Sequence, residues 1–122
     1  MSFAEEDLAL LREAEEIDIE TQAPGGPAKR TTIWIVVADG EVYVRSVNGE
    51  RGQWYRAAVA NPAVGIRVDG QRLSATAIPA TDPASIERVS NGFESKYARY
   101  GASLASMLQP HTLPTTLRLE PI

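Results

Sequence analysis

A short segment near the middle of the chain combines side chains that bind anions with glycines that let the backbone approach a ligand closely. It supplies two guanidinium groups, two neutral donors and two glycines: Arg45, Ser46, Asn48, Gly49, Arg51 and Gly52. Guanidinium groups bind phosphate oxygens through paired hydrogen bonds. The amphipathic sequence QWYRAAVANP that follows predicts a helix, whose first N–H groups attract anions. We therefore predict a phosphate site where this helix begins.

Strand geometry indicates which of these side chains can bind the same phosphate. Arg45 and Ser46 are neighbours at the end of a predicted strand, so they point to opposite faces and cannot both reach one phosphate unless the strand twists or bulges. We therefore place Ser46 and Arg51 ahead of Arg45 as phosphate ligands. The alternative for Arg45 is a solvated strand residue across from an acidic neighbour such as Glu41.

Aromatic side chains lie on both sides of this segment. Trp34 and Trp54 are suited to flank a flat ring system, because aromatic rings stack with an offset on such surfaces. Burial in the core is the competing interpretation, and it is favoured for Trp34 because this residue lies in an apolar run. Tyr97 and Tyr100 are candidates to line a substrate mouth, although a tyrosine packed by its ring with its hydroxyl in water is the commoner arrangement.

Two Asp-Gly pairs predict β-hairpins, because Asp and Gly adopt the positive φ angles of a two-residue turn. Asp39-Gly40 joins a predicted apolar strand over residues 31–37 to the sequence VYVRSV. Asp69-Gly70 joins alternating apolar residues at 64–68 to a second alternating stretch ending at residue 79. The run IWIVV in the first hairpin indicates a strand that is buried on both faces.

The remaining pattern predicts a mainly β protein with peripheral helices. About six antiparallel strands are too many for one flat sheet to bury, so we predict a split β-barrel. We expect one domain over residues 1–122, with an N-terminal helix within 1–16, a barrel core over 17–79, a helical segment over 82–108 and a closing strand over 115–120.

Composition excludes several classes of site and partner. The chain has 122 residues, no cysteine and one histidine, His111, so disulfides, thiolate zinc sites and multi-histidine metal sites are not expected. Its net charge of −4 argues against a nucleic-acid partner. The acidic N-terminal sequence is unlike a signal peptide, and no apolar stretch approaches the length that spans a membrane, so we expect a cytoplasmic protein.

The order of these features resembles a known superfamily. An apolar strand that begins at Arg30, an Asp-Gly turn and the segment VYVRSVNGERGQWYR are similar to the FMN-binding split β-barrel proteins, the pyridoxamine-phosphate-oxidase-like group. Within that group the sequence looks most like a small bacterial branch related to the deazaflavin-dependent nitroreductases. The resemblance covers residues 30–78 well and the flanks loosely.

The resemblance implies a homodimer with a flavin lying across the subunit boundary. Ser46 matches a hydroxyl that ends a strand, Arg51 a basic loop residue and Arg30 the arginine that opens the apolar strand. One feature departs from the pattern, since the oxidases have two adjacent basic residues where this chain has Arg51 followed by Gly52. The cofactor residues predicted in this way and from the patterns above are Arg30, Ile33, Trp34, Ile35, Arg45, Ser46, Asn48, Gly49, Arg51, Gly52 and Trp54.

These predictions define a hypothesis for function. The chain is expected to be an oxidoreductase that passes a hydride between FMN, or a deazaflavin cofactor, and a small organic acceptor bound near Tyr97 and Tyr100. A cofactor carries this chemistry itself, which explains why no acid-base pair stands out. The first alternative is a non-catalytic barrel that binds a phosphorylated cofactor or metabolite, and the second is a structural protein that docks through its acidic N-terminal helix.

Overall fold

Seven antiparallel strands form one curled sheet in the computed structural model, which describes residues 2–122. The strands are Ile17–Gln22 (β1), Ala28–Ile33 (β2), Val36–Ala38 (β3), Glu41–Val44 (β4), Ala63–Val68 (β5), Gln71–Pro79 (β6) and Leu117–Pro121 (β7). The helices are Glu5–Glu13 (α1), Gln53–Ala60 (α2), Pro83–Lys96 (α3) and Gly101–Met107 (α4), with 3₁₀ helices at Gly49–Arg51 and Pro110–Thr115.

The strand order is β2-β1-β5-β6-β7-β4-β3. The last strand, β7, therefore lies inside the sheet, where it pairs with β6 on one side and with β4 on the other. It joins the two groups of strands into a half-barrel with helices on its periphery, which confirms the predicted fold class. The closing strand begins at Leu117 rather than at Thr115, because Thr115 belongs to the preceding 3₁₀ helix.

Both predicted hairpin turns are present. The φ angles are 51° and 73° at Asp39 and Gly40, and 49° and 75° at Asp69 and Gly70. Positive φ at both central residues defines the two-residue turn whose twist matches that of the flanking strands. These turns join β3 to β4 and β5 to β6.

The prediction of one long apolar strand over residues 31–37 is wrong. The chain leaves β2 at Ile33 and begins β3 at Val36, and these two strands are the opposite edges of the sheet. Between them, the Ile35 N–H donates to the Tyr97 hydroxyl at 3.1 Å, and the Ile35 carbonyl accepts from Lys96 Nζ at 2.9 Å. Side chains at the end of α3 thus satisfy backbone groups that a neighbouring strand would otherwise pair. This break raises the number of strands from about six to seven.

Two apolar clusters stabilise the sheet on different sides. The larger one fills the curled sheet with alternate side chains of its strands and with the buried faces of α1 and α2. The smaller one packs α3 and α4 against β3 and β4 through Val36, Tyr43, Val89, Phe93 and Tyr97. Strand β2 differs from the others because its side chains from Ala28 to Thr32 are exposed. No helix within residues 2–122 is long and apolar enough to cross a membrane.

Candidate functional site

A cavity of about 330 Å³ lies where β2 ends, beside the start of α2 and along one side of α4. It brings together four of the predicted cofactor residues, Ile33, Trp34, Arg45 and Trp54. The other lining residues come from the segment before β1, from β2, from the loop after β4 and from α4, namely Glu16, Thr32, Val47, Ser103, Ser106 and Met107. We call this space the tryptophan cavity. No sequence pattern indicates that α4 lines the cavity, because its small polar residues are typical of any short surface helix.

Trp34 is held by an aromatic cluster rather than buried in the sheet core. Its ring stacks on the ring of Tyr97 with a centroid distance of 4.0 Å and an interplanar angle of 1°. Phe93 and Tyr100 flank it at 6.3 Å and 5.8 Å. Such contacts stabilise a ring in one orientation. The cluster therefore fixes Trp34 at the wall of the tryptophan cavity.

Trp54 lies in the first turn of α2 and is 8% exposed. It separates the tryptophan cavity from a second cavity of about 480 Å³, between α2 and the β1–β2 hairpin, which it also lines. Lys29 and Arg56 line this second cavity, and no carboxylate side chain of the described residues does. Neither cation was predicted from the sequence, because each looks like an ordinary exposed residue until β2 and α2 are brought together.

Arg45 points into the protein rather than toward solvent. Its guanidinium donates to Thr116 Oγ1 at 2.9 Å, to Ser90 Oγ at 3.0 Å and to the Ile86 carbonyl at 3.2 Å. Its carbon Cζ lies 5.5 Å from the centre of the Phe93 ring. Burial lowers the pKa of Arg45 to about 10, so the group stays charged at neutral pH. A positive charge that no carboxylate of the described residues pairs with therefore lies behind the tryptophan cavity.

The residues of the predicted phosphate site do not converge on one open space. Ser46 is 1% exposed, and its hydroxyl has no hydrogen-bond partner among residues 2–122. This hydroxyl lies against Gly52, where any added Cβ atom would collide with it. Asn48 and Arg51 are exposed, whereas Gly49 is buried against the backbone of His111.

Gly52 is also the N-cap of α2, and no side chain in the described part of the chain caps this helix. The start of α2 therefore keeps the free N–H groups that attract anions. His111 steadies the loop from the other side, because its Nε2 lies 3.0 Å from the Val47 carbonyl. This ring nitrogen must carry the proton, since a carbonyl only accepts.

Three other predicted residues occupy different surroundings. Arg30 lies on the exposed edge strand β2, where it pairs with Glu20 at 3.2 Å. Tyr97 is fully buried, and its hydroxyl donates to the Glu15 carbonyl at 2.6 Å. Tyr100 is partly exposed and donates to the Glu15 carboxylate at 2.7 Å. Of the two tyrosines, only Tyr100 has a hydroxyl near solvent. Among residues 2–122, no three histidine or carboxylate side chains are grouped closely enough to hold a metal ion.

Lys96 makes the stability of this region depend on pH. It donates to the carbonyls of Leu11 and Ile35, and burial lowers its pKa to about 8. The unfolded chain keeps the lysine proton up to its ordinary pKa of about 10.5, so the unfolded state binds more protons above pH 8. Stability is therefore expected to rise between pH 8 and pH 9.5, as measured by urea denaturation.

Above that range Tyr97 acts in the opposite direction. Burial raises its pKa to about 12, so the folded state retains a proton that the unfolded state loses near its ordinary pKa of about 10. Its contribution to stability is lost as the pH rises from 10 to 12. Lys96→Met should remove the increase between pH 8 and 9.5, and an unchanged slope in this variant would contradict the assignment to Lys96.

The curled antiparallel sheet with peripheral helices is the split β-barrel fold of the FMN-binding, pyridoxamine-phosphate-oxidase-like proteins. The sequence matches the family described as "Uncharacterized protein conserved in bacteria (DUF2255)" over residues 7–119, and the chain belongs to that family. No curated protein matches it significantly.

Solved structures share this fold at low sequence identity. A conserved hypothetical protein, Rv2991 from Mycobacterium tuberculosis, has a TM-score of 0.71 and 16% identity, over 100% of this chain and 81% of that one. The haem storage protein HutZ from Vibrio cholerae has a TM-score of 0.69 and 15% identity, over 100% and 92%. An F420-H2 dependent reductase, FDR-A, has a TM-score of 0.66 and 15% identity, over 87% and 94%. At these identities the likeness shows the fold alone.

Proposed function

We propose that this protein binds a flavin or deazaflavin cofactor and acts as an oxidoreductase on a small organic acceptor. The observation that carries the proposal is the tryptophan cavity, in which Trp34 and Trp54 line one space in front of the charged Arg45. Ligand cavities typically measure about 300–1,000 Å³, so this one is large enough for a flat ring system. A neighbour of the same fold is named an F420-H2 dependent reductase, which supports the deazaflavin alternative.

Cationic groups that could bind the anionic end of such a cofactor lie on the side of Trp54 that is away from Arg45. Lys29 and Arg56 line the second cavity, and Gln53 at the start of α2 lines it as well. The uncapped N-terminus of this helix attracts anions through its free N–H groups. We therefore propose that the ring lies in the tryptophan cavity and that the phosphate lies near the start of α2, within reach of the exposed Arg51.

Arg45 has a separate role in this proposal. A buried cation beside a flavin-type ring stabilises the negative charge that the ring gains on reduction, because charges interact strongly away from water. The bound cofactor would supply hydride transfer. The residues of this chain would bind the ring, exclude water and hold the positive charge of Arg45 in place.

Haem is a weaker candidate ligand, although HutZ is named a haem storage protein. Histidine is a common axial ligand of haem iron. This chain has one histidine, and His111 lines neither cavity and bonds the Val47 carbonyl through Nε2. We therefore favour a flavin-type ring over a haem ligated by histidine.

We further propose that the protein is a homodimer whose second subunit covers the mouths of the two cavities. Strand β2 supports this, because an edge strand whose side chains are exposed from Ala28 to Thr32 leaves its backbone available for a partner. The predicted cytoplasmic location stays a prediction. Light scattering of the purified protein measures the oligomeric state.

The cofactor proposal can be tested by titrating FMN and the deazaflavin cofactor F420 separately into the protein and following tryptophan fluorescence. A ring that stacks on either tryptophan should quench this emission. Trp54→Ala should weaken binding about tenfold. The variant loses the stacking contact, which contributes about 0.5–1.5 kcal/mol, and also loses the apolar area that the tryptophan ring buries against the cofactor. Val59→Ala is the matched control, because Val59 is 54% exposed on the same helix and lines neither cavity.

Absence of quenching and of any thermal stabilisation by both cofactors would overturn the proposal. Equal weakening in Trp54→Ala and Val59→Ala would also count against the tryptophan cavity. The non-catalytic alternative, a module that holds a phosphorylated cofactor or metabolite, is favoured by the missing second basic residue of the loop, since Gly52 follows Arg51. It predicts normal cofactor binding without oxidation of the reduced cofactor by quinone or nitroaromatic acceptors.

A further inference from the structure

Three arginines surround one glutamate on the outer face of the sheet, away from both cavities described above. Glu20 lies on β1, and its side chain is 16% exposed. Arg72 Nε lies 2.8 Å from its Oε1, while the Nε atoms of Arg30 and Arg67 lie 3.2 Å and 3.4 Å from its Oε2. We call Arg30, Arg67 and Arg72 the arginine platform. Strand β1 lies between β2 and β5, and β6 lies on the far side of β5.

The atoms used in these contacts leave most of each guanidinium free. All three arginines reach Glu20 through Nε. Among the terminal nitrogens of the platform, only Nη1 of Arg72 makes a hydrogen bond within residues 2–122, to Ser74 Oγ at 2.9 Å. The three side chains are 55%, 38% and 40% exposed. The remaining terminal nitrogens of the platform are therefore available to a ligand from solvent, while Glu20 contacts the Nε atoms.

The strand register and one glycine allow the three arginines to reach Glu20. Glu20 pairs with Arg30 on β2 and with Gly65 on β5, and Gly65 pairs with Ser74 on β6. A Cβ atom at Gly65 would lie 2.7 Å from Nη2 of Arg72. The glycine thus lets the side chain of Arg72 cross β5 and reach Glu20. Hydrogen bonding from Arg72, opposed by partial burial and aided by the charge of Arg67, lowers the pKa of Glu20.

Charge is unbalanced on this face. Three arginines contact the single carboxylate of Glu20. The Asp18 carboxylate on the same strand accepts a bond from Thr32 Oγ1 at 2.7 Å. Exposed ion pairs contribute little to stability, so a purely structural role does not require three guanidinium groups on one carboxylate. Guanidinium forks match the geometry of phosphate oxygens. A phosphate group would complete the cluster.

We propose that the arginine platform is a second ligand site, which binds the phosphate group of a small phosphate ester. The body of the ester has a place to lie, because a hollow of about 210 Å³ adjoins Glu20 and Arg72 and is lined by Gln22, Asn61 and Ser74 among others. These amide and hydroxyl groups suit a sugar-like body. The site is independent of the cofactor site proposed above.

NMR titration tests this site with two probes, inorganic phosphate and ribose 5-phosphate. Both should shift the side-chain Nε–H signals of the platform in a saturable way, and ribose 5-phosphate should bind more tightly because it also occupies the hollow. Arg72→Lys keeps the charge and loses the fork, so it should weaken binding about tenfold, the scale of one charge-assisted hydrogen bond. Arg30→Gln, on the exposed edge strand, provides a second variant with little risk to the fold.

Arg88→Gln is the control, because Arg88 is also 38% exposed but pairs with Asp39 at a distant hairpin. It should leave phosphate binding unchanged. Binding that fails to saturate would overturn the proposal. Equal weakening of phosphate binding in Arg88→Gln and Arg72→Lys would also overturn it, because phosphate would then respond only to the general surface charge. Equal affinity for both probes would overturn the assignment to a phosphate ester.

Discussion

Replacing Arg45 with alanine is expected to lower the free energy of unfolding by about 3–5 kcal/mol, the range for truncating a large buried side chain. Arg45 is the largest side chain that is fully buried among residues 2–122. Its removal would leave a cavity between β4 and α3 and would break the hydrogen bonds to Thr116, Ser90 and the Ile86 carbonyl. Urea denaturation followed by circular dichroism measures the change.

Two further variants separate packing from charge. Arg45→Met fills most of the same volume, and Thr116 Oγ1 keeps its bond to the Leu113 carbonyl, so we expect a smaller loss, about 1–2 kcal/mol. Arg118→Ala, on an arginine that is 31% exposed and ion-paired, should cost less than about 1 kcal/mol. If Arg45→Ala cost no more than Arg118→Ala, Arg45 would not hold α3 to the sheet.

Arg45→Met also bears on function, because it removes the positive charge behind the tryptophan cavity without emptying the site. Under the proposed function, this variant should bind the oxidised cofactor but hold the reduced, more negative form less tightly. The reduction potential of the bound cofactor would therefore fall. An unchanged potential in a folded variant would separate Arg45 from cofactor chemistry and leave it a role in packing alone.

Replacing Tyr97 with phenylalanine is expected to lower the free energy of unfolding by about 2–3 kcal/mol, because a buried donor left without its partner costs about 1–3 kcal/mol. The Tyr97 hydroxyl accepts from the Ile35 N–H and donates to the Glu15 carbonyl. The Ile35 N–H lies where the chain crosses between the edges of the sheet, and the Glu15 carbonyl lies between α1 and β1. Thermal and urea denaturation of the variant measure the loss.

Tyr100→Phe is the matched control for this prediction. Its hydroxyl bonds the Glu15 carboxylate at a partly exposed position, where water can replace it. We therefore expect a loss below about 1 kcal/mol. Similar losses in the two variants would show that the ring of Tyr97, rather than its hydroxyl, stabilises the crossing. Because Tyr97 stacks on Trp34, Tyr97→Phe keeps the wall of the tryptophan cavity in place.

Local chemistry explains the features that could be predicted from sequence. The Asp-Gly pairs specify their turns through the φ angles of two adjacent residues, and the start of α2 follows from glycine and the helical pattern after it. The residues that line the tryptophan cavity were partly predicted, since Trp34 and Trp54 were chosen for their ring chemistry. The predicted phosphate site depends on residue types, which do not reveal that Ser46 is covered by Gly52.

Contacts between distant segments decided the rest. The apolar run around Ile35 looks like one strand, and its division depends on Lys96 and Tyr97, about 60 positions further along the chain. Alternation shows that Arg45 and Ser46 face opposite sides, but only the docking of α3 makes the arginine side an interior. Turn type and periodicity are therefore properties of the sequence itself. Which surface becomes a core, a cavity or a charged platform depends on which elements pack together, because burial and hydrogen-bond partners exist only after the chain has folded.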